Sequence, residues 1–238
     1  MPQRAQPGRS LTAYSVIVTP VPARPEADRR ALSRDRVVDI ALSIVDRDGL
    51  DGLTMRRLAG ELGVEAMSLY HWFPNKAAIL DELVEVALRE TGAAVGSTTD
   101  GGWRTSLRAL AVAHRQVLLA HPNTIPCMNN RPGKSVESMR VIERMLDVLR
   151  RDGFTPVMAV QSMQAVFAYI TGAVSAEIGR ATPHGPMEEF LARLPLEQFP
   201  RVHELAAIFS GPPPAGAEPF AFGLDALLDG IGLRLASA

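Results

Sequence analysis

Between Ser33 and Glu90 the apolar residues recur every three to four positions, in four short runs separated by capping and breaking residues. Val37, Ile40, Ala41, Ile44 and Val45 share one face behind Ser33, a candidate N-cap, and Asp48-Gly49 ends that run. Thr54 opens a second helix that Gly63 breaks after Leu62, and a third spans about Glu65 to Trp72. Asn75 caps a fourth, which carries Ile79, Leu80, Leu83, Val84 and Ala87 on one face to about Glu90. The stretch Thr91 to Gly102 is rich in Gly, Ser, Thr and Ala and reads as a hinge or loop. Longer helices are predicted at about 103–120, 134–151, 156–180 and 219–236. Eight prolines break 182–219, leaving room for short helical pieces at 187–194 and 201–209. Only Tyr14 to Thr19 alternates like a strand, and no internal repeat is present. The predicted fold class is all-α.

Two of the long helices are apolar on two sides. On 156–180 a bulky stripe of Val160, Met163, Phe167, Ile170, Val174 and Ile178 faces away from a small stripe of Ala165, Ala168, Gly172, Ala176 and Gly179. The last helix repeats this, with Leu224, Leu227, Leu228, Ile231 and Leu235 against Gly223, Ala226 and Gly230. A helix apolar on two sides is buried on two sides. The expectation is a homodimer whose four-helix interface uses Gly172, Ala176, Gly179, Gly223, Ala226 and Gly230; packing of the same stripes within one subunit is the alternative. Val157 to Ala176 has the length of a membrane span without a formal charge. Gln161, Ser162, Gln164, Thr171 and Ser175 lie around it, which lipid would leave unpaired, so burial in protein is expected and no membrane partner.

Composition narrows the function. The 238 residues hold 25 Lys+Arg and 26 Asp+Glu, a formal charge of −1, which excludes a general basic coat for nucleic acid but not a local basic surface. With 47% hydrophobic and 21% charged residues the chain is foldable rather than disordered. A lone cysteine, Cys127, allows no intramolecular disulfide, and a cytoplasmic location is expected. Residues 1–32, with five Arg, two acids and five Pro, read as a disordered basic extension rather than a signal peptide. The expected organisation is that extension, a domain over 33–90 and a second over 101–238.

The window Met55 to Pro74 fits a helix-turn-helix. Two short helices crossing steeply need facing apolar residues, a small residue at the contact and one that tolerates positive φ in the turn. Leu58, Leu62, Val64, Leu69 and Trp72, with Ala59 and Gly63, meet these needs, although ordinary amphipathic helices with a Gly C-cap would meet several. If the third helix enters the major groove, Ala66, Met67, Ser68 and His71 lie where side chains reach base edges. Tyr70 and Lys76 flank it as phosphate donors, Thr54 opens a helix N-terminus suited to an anion, and Arg56 and Arg57 project from the second helix. A solvated face is the alternative for the two arginines, and packing against the first helix for Tyr70.

Leu53-Thr54-Met55-Arg56-Arg57-Leu58-Ala59, Glu61-Leu62-Gly63-Val64, Ser68-Leu69-Tyr70, Phe73, Asn75-Lys76 and Leu80 resemble the N-terminal domain of the TetR family of transcriptional regulators. The resemblance implies a homeodomain-like three-helix DNA-binding domain followed by a helical ligand-binding and dimerisation domain. It implies phosphate contacts from Tyr70 and Lys76, base contacts from residues 66–68 and Arg56, and a linking role for the fourth helix. Only two lysines stand beside 23 arginines, and one of them is Lys76. The likeness continues through Trp103, Leu107-Arg108, Leu118-Leu119-Ala120-His121, Arg131-Pro132, Gly153-Phe154, Gly172 and Phe222-Gly223-Leu224, which are similar to the tetracycline repressors' C-terminal domain. It departs just before Arg131-Pro132. Where those repressors place a histidine against a tetracycline–magnesium chelate, this chain has Pro126-Cys127-Met128-Asn129-Asn130, and a thiol is a poor ligand for a hard, oxygen-preferring ion.

The expected function is therefore a ligand-responsive transcriptional regulator: a repressor released from a palindromic DNA operator by a small apolar effector other than that chelate. Five of nine methionines lie between Met128 and Met163, and flexible thioethers with aromatics suit such a pocket. Position in the resembling fold selects Leu110, His114, Cys127, Asn130, Arg131, Met163 and Phe167 as its lining, although core packing is the plainer account of any single one. No cofactor or metal is expected. Catalysis is disfavoured: His114, His121 and Cys127 are close in sequence, but Cys127 has no neighbouring cation to activate it, and no phosphate-binding Gly loop or zinc spacing is present. A ligand-independent architectural DNA binder is the remaining alternative.

Overall fold

The protein is described from a computed structural model covering residues 32–95, 101–128, 133–181, 190–191, 193–204 and 218–237. The expected extension lies outside this range except for Leu32, and the short pieces at 187–194 and 201–209 fall only partly within it, with 190, 191, 193 and 200–204 helical. Among the described residues there is no strand, and the fold is all-α.

The N-terminal helices are α1 (Arg34–Gly52), α2 (Met55–Leu62), α3 (Ala66–Tyr70) and α4 (Lys76–Val95). Their starts are the ones the capping residues announce. Ser33 accepts from the Arg36 N–H at 3.3 Å, Thr54 from that of Arg57 at 3.1 Å and Asn75 from that of Ala78 at 3.0 Å, each satisfying a donor with no partner inside its helix. The run of α1 breaks at Gly49, whose φ of 72° excludes most side chains, and one more turn carries it to Gly52. Gly63 closes α2 at a φ of 72° too, here in the left-handed helical region, its N–H turned back to Ala59 and Gly60.

Two boundaries differ from the sequence reading. The third helix stops at Tyr70 rather than Trp72, because the N–H groups of Trp72 and Phe73 both turn back to the Leu69 carbonyl ahead of Pro74. The fourth does not end near Glu90 but continues to Val95, so the first part of the supposed hinge is helical. Thr91 and Gly92 are buried within it. A Cβ added to Gly92 would stand 2.5 Å from Val141 Cγ2, so the missing side chain is what allows close approach to the helix carrying Val141.

Beyond α4 follow α5 (Gly102–Ala120), a 3-10 turn (Pro122–Thr124), α6 (Ile125–Met128), α7 (Val136–Arg151), α8 (Pro156–Ala181) and α9 (Pro219–Ala236). Leu107, Leu110 and Leu118 of α5, Leu149 of α7, Phe154, and Val166, Ile170 and Val174 of α8 form the centre of the core with Leu224 and Leu228 of α9. Each such side chain, fully buried, contributes roughly 1.5–3 kcal/mol. The half-exposed pairs Arg104–Asp229, Arg108–Asp225 and Arg115–Glu177 orient α5 against α9 and α8, but pairs of this kind contribute about 1 kcal/mol or less. Burial therefore holds the domain and the ion pairs set register.

The two faces of α8 separate only in part: Ala165 is half-buried beside α9 and Ala168 borders the cavity between α8 and its neighbours, so neither lies on a free outer stripe. Val160 is exposed and does not belong to the inner stripe, where Ala159 and Val166 are fully buried instead. Helix α8 is long and apolar enough to cross a membrane by length and composition, yet its inner face packs on α5, α7 and α9. Gly172, Ala176 and Gly179 are exposed on its outer face.

Candidate nucleic-acid interface and ligand cavity

The helix-turn-helix is held as one piece by its buried face and by Arg34. Leu58, Ala59, Leu62, Leu69 and Phe73 are buried where α1 to α4 meet. The Arg34 guanidinium donates to the Trp72 carbonyl at 3.1 Å, pairs with Glu82 and lies 4.4 Å from the centre of the Phe73 ring, so α1 fixes both the end of α3 and the start of α4. The recognition surface stands outside this frame. Met67 is 75% exposed and Tyr70 46%, Ser68 and His71 are exposed, and Ala66 is half-buried.

Several predicted DNA-contact residues take more specific positions than the sequence implied. His71 caps the C-terminal end of α3 and does not lie on its N-terminal half; its ring meets the half-buried Trp72 edge-on at 5.6 Å. Lys76 is half-buried with Nζ donating to the Leu50 carbonyl at 2.6 Å, which holds the ammonium near the end of α1 and leaves it two further N–H donors. Thr54 has its hydroxyl engaged as the α2 cap but remains exposed. Arg57 pairs with Asp48 at 2.5 Å and Glu61 at 3.5 Å, a structural role within the domain, whereas Arg56 is exposed.

At the other end of α4 lies a partly open cavity of about 370 Å³ bounded by α4, α5, α7 and α8, with Met128 of α6. Four of the seven predicted lining residues, Leu110, His114, Met163 and Phe167, border it. Cys127 does not: it is buried nearby, and its neighbour Met128 takes the wall position. Asn130 and Arg131 lie outside the described residues. The sequence reading missed the α4 wall, Val84, Leu88 and Thr91, and the α7 wall of Ser138, Met139, Val141, Ile142 and Met145. The methionine clustering was the available signal, since Met128, Met139, Met145 and Met163 all border the cavity. No Asp, Glu, Lys or Arg does so among the described residues.

His114 is the titratable side chain of that wall among the described residues, beside the hydroxyls of Thr91, Ser138 and Thr171. Its Nδ1 lies 2.9 Å from Thr91 Oγ1, and its ring meets Phe167 edge-on at 5.2 Å. Burial pushes its pKa down to about 4, so the imidazole is neutral near pH 7. Glu85, one residue from Val84, is buried and accepts from the Lys134 and Ser135 N–H groups at the start of α7, the latter at 3.0 Å. Burial alone would raise its pKa, but the donors from Ser135, Lys134 and Ser138 outweigh that and hold it below the usual carboxylate range.

A second contact ties α1 to the segment after α5. His121 Nδ1 lies 2.8 Å from Asp46 Oδ2, and Asn123 Nδ2 donates to the Val45 and Asp46 carbonyls at 2.9 and 3.1 Å, docking the middle of α1 on the turn that leads into α6. His114 and His121 are thus engaged with different partners, Thr91 and Asp46.

The predicted dimer residues divide. Gly172, Ala176, Gly179 and Ala226 are exposed, and Gly230 is half-buried with no atom within 4 Å of an added Cβ. Gly223 differs, because a Cβ there would lie 2.5 Å from Tyr169 Oη; its smallness is required inside the subunit. Phe222 at 79% and Leu233 at 72% exposure extend the apolar outer face of α9.

Residues 37–83 match the family model described as bacterial regulatory proteins, tetR family, and residues 95–235 match that of the tetracyclin repressor-like C-terminal domain. The chain is 32% identical over 219 residues to the HTH-type transcriptional repressor DrrR1 of Streptomyces coeruleorubidus, covering 86% of this chain and 79% of that one. It is 32% identical over 204 residues to the class A tetracycline repressor protein from transposon 1721 of Escherichia coli, covering 85% and 92%. The crystal structure of ActR from Streptomyces coelicolor in complex with actinorhodin superposes with a TM-score of 0.73 at 27% identity, covering 86% of this chain and 99% of that one.

Proposed function

This chain belongs to the TetR family of bacterial regulatory proteins and is a ligand-responsive DNA-binding transcriptional regulator rather than an enzyme; from that premise we propose that it is a homodimeric repressor released from a palindromic operator by a small, mostly apolar effector. The observation that carries this reading is the span of α4. One helix begins at Lys76 beside the exposed recognition helix and ends with Val84, Leu88 and Thr91 in the cavity wall. An occupant that displaces the wall displaces the DNA end, and the His121–Asp46 contact at the α5–α6 turn gives α1 a second connection to the same region.

Met67, Ser68 and Ala66 read base edges, with Arg56 beside them; Tyr70, His71, Trp72, Thr54 and Lys76 serve the backbone and the orientation of α3. Two subunits meet through the outer faces of α8 and α9, at Gly172, Ala176, Gly179, Ala226 and Gly230, with Phe222 and Leu233 as bulky partners. Such a dimer places two recognition helices for half-sites about 34–36 Å apart. Gly223 supports the arrangement indirectly, by seating Tyr169. The protein acts in the cytoplasm, where its operator is. A tetracycline–magnesium chelate is not the proposed effector, since no described residue of the wall offers a carboxylate and the sequence has Pro126-Cys127-Met128 where those repressors place a histidine.

Linkage sets the sign of the response. The effector binds the DNA-free form more tightly, and operator weakens effector binding by the same factor. The test is selection of bound duplexes from a random pool, followed by titration of the winner. One palindrome with half-sites a helical turn apart is the expected result. Retention of all sequences alike would favour the architectural alternative, and enrichment of an asymmetric site would overturn the dimer.

A further inference from the structure

We propose that the cavity takes an uncharged, flat polycyclic aromatic ligand, and that His114 selects it by accepting a hydrogen bond at Nε2 from a ligand hydroxyl. The proposal rests on the reading of this cavity as the effector site and goes further by naming the ligand chemistry.

The protonation pattern follows from two contacts of one hydroxyl. Thr91 Oγ1 lies 2.8 Å from the Ala87 carbonyl oxygen and 2.9 Å from His114 Nδ1. A carbonyl has no proton to give, so the Thr91 proton must lie on the Ala87 side, or two oxygens would face each other bare. Thr91 then meets His114 as an acceptor, and Nδ1 carries the ring proton. Nε2 is left as a lone pair, with no hydrogen bond to any described residue, on a ring that borders the cavity. The ring remains neutral in the ordinary pH range because burial holds its pKa near 4.

That lone pair discriminates. A hydroxyl donates to it, whereas an ether or quinone oxygen presented to the same atom sets lone pair against lone pair, and a buried acceptor left unpaired is costly. Charge is discouraged in both signs, since no Asp, Glu, Lys or Arg borders the cavity among the described residues to offset a buried ion. The ring preference comes from Met128, Met139, Met145 and Met163 with Phe167, because polarisable sulfur packs well on aromatic faces and edges.

The test uses the purified full chain and three probes sharing one ring system: 1-hydroxypyrene, 1-methoxypyrene and 1-pyrenecarboxylate, with affinity read by fluorescence titration. The phenol is expected to bind about tenfold more tightly than its methyl ether, and the carboxylate more weakly than either. In His114→Phe the ratio of phenol to ether should fall to near one while the ether still binds. Thr91→Val, which frees the tautomer, should lower the same ratio without abolishing binding, a change that simple loss of packing would not produce. Equal binding of phenol and ether to the wild-type chain, or a ratio that survives both substitutions, overturns the role of His114 and leaves the cavity reading intact. No binding of any pyrene overturns the ligand class. Binding unchanged by Ile142→Trp, which fills the cavity, places the probe elsewhere and defeats the effector-site reading along with the proposal.

Discussion

Gly92→Ala tests the least expected feature of the fold, the close packing of α4 on α7. In an exposed helix this substitution stabilises by about 1 kcal/mol, because Ala loses less backbone freedom than Gly on folding. Here the new Cβ would sit 2.5 Å from Val141 Cγ2, about 1 Å inside an ordinary carbon–carbon contact. Val141 cannot swing aside freely, since a β-branched side chain on a helix has one strongly preferred rotamer. Overpacking of this kind costs about 1–3 kcal/mol, so the net expectation is a loss of about 0–2 kcal/mol. Val141→Ala removes the obstructing methyl, and in that background the same change should stabilise by about 0.5–1 kcal/mol. The sign therefore reverses, and a double-mutant cycle should return a coupling of about 1–3 kcal/mol. Urea unfolding of the four proteins at one fixed concentration measures it, fixed because dimerisation contributes to apparent stability. Equal stabilisation in both backgrounds would refute the close approach. Absence of any gain in the Val141→Ala background would refute the helical assignment of 91–95.

Three further outcomes follow from the site. Unfolded His114 takes up a proton near pH 6.5 and the folded ring only near 4, so the unfolded state binds more protons between those values. Stability should accordingly fall as pH drops through that window, by about 3 kcal/mol at most, and the difference in urea midpoint between wild type and His114→Phe should shrink correspondingly toward pH 4. Lys76→Ala should weaken all duplexes alike and lower the salt dependence of binding by about one ion in mobility-shift titrations; changed base preference with an unchanged salt slope would contradict a phosphate role. Met67→Ala should instead shift preference at individual base pairs in a repeated selection while leaving the salt slope in place, and an unchanged selected sequence would remove Met67 from the readout.

What was legible in the sequence was what local chemistry specifies. Ser33, Thr54 and Asn75 cap where they were expected to, and Gly63 turns where it was expected to, because each device acts within four residues of itself. What was illegible depends on a partner distant in sequence. Thr91-Gly92 has the composition of a loop, yet the Gly is small because α7 lies against it, and the Thr is polar because its hydroxyl orients His114, 23 residues away. Gly223 and Gly172 look alike on helical stripes, but one accommodates Tyr169 inside the subunit and the other faces outward. Cys127 and Met128 differ by one residue, about 100° of helical rotation, enough to move the cavity wall from one to the other. The misread stretch also reaches the cavity, at Thr91. A helix running from the recognition unit to a ligand must give up its solvent face partway along, and there small and hydroxyl-bearing residues replace the amphipathic pattern that made its first turns readable. The wall of the cavity already begins in the readable part of α4, at Val84 and Leu88, and the break in pattern after Glu90 marks the turn where Thr91 meets His114 and Gly92 packs against α7.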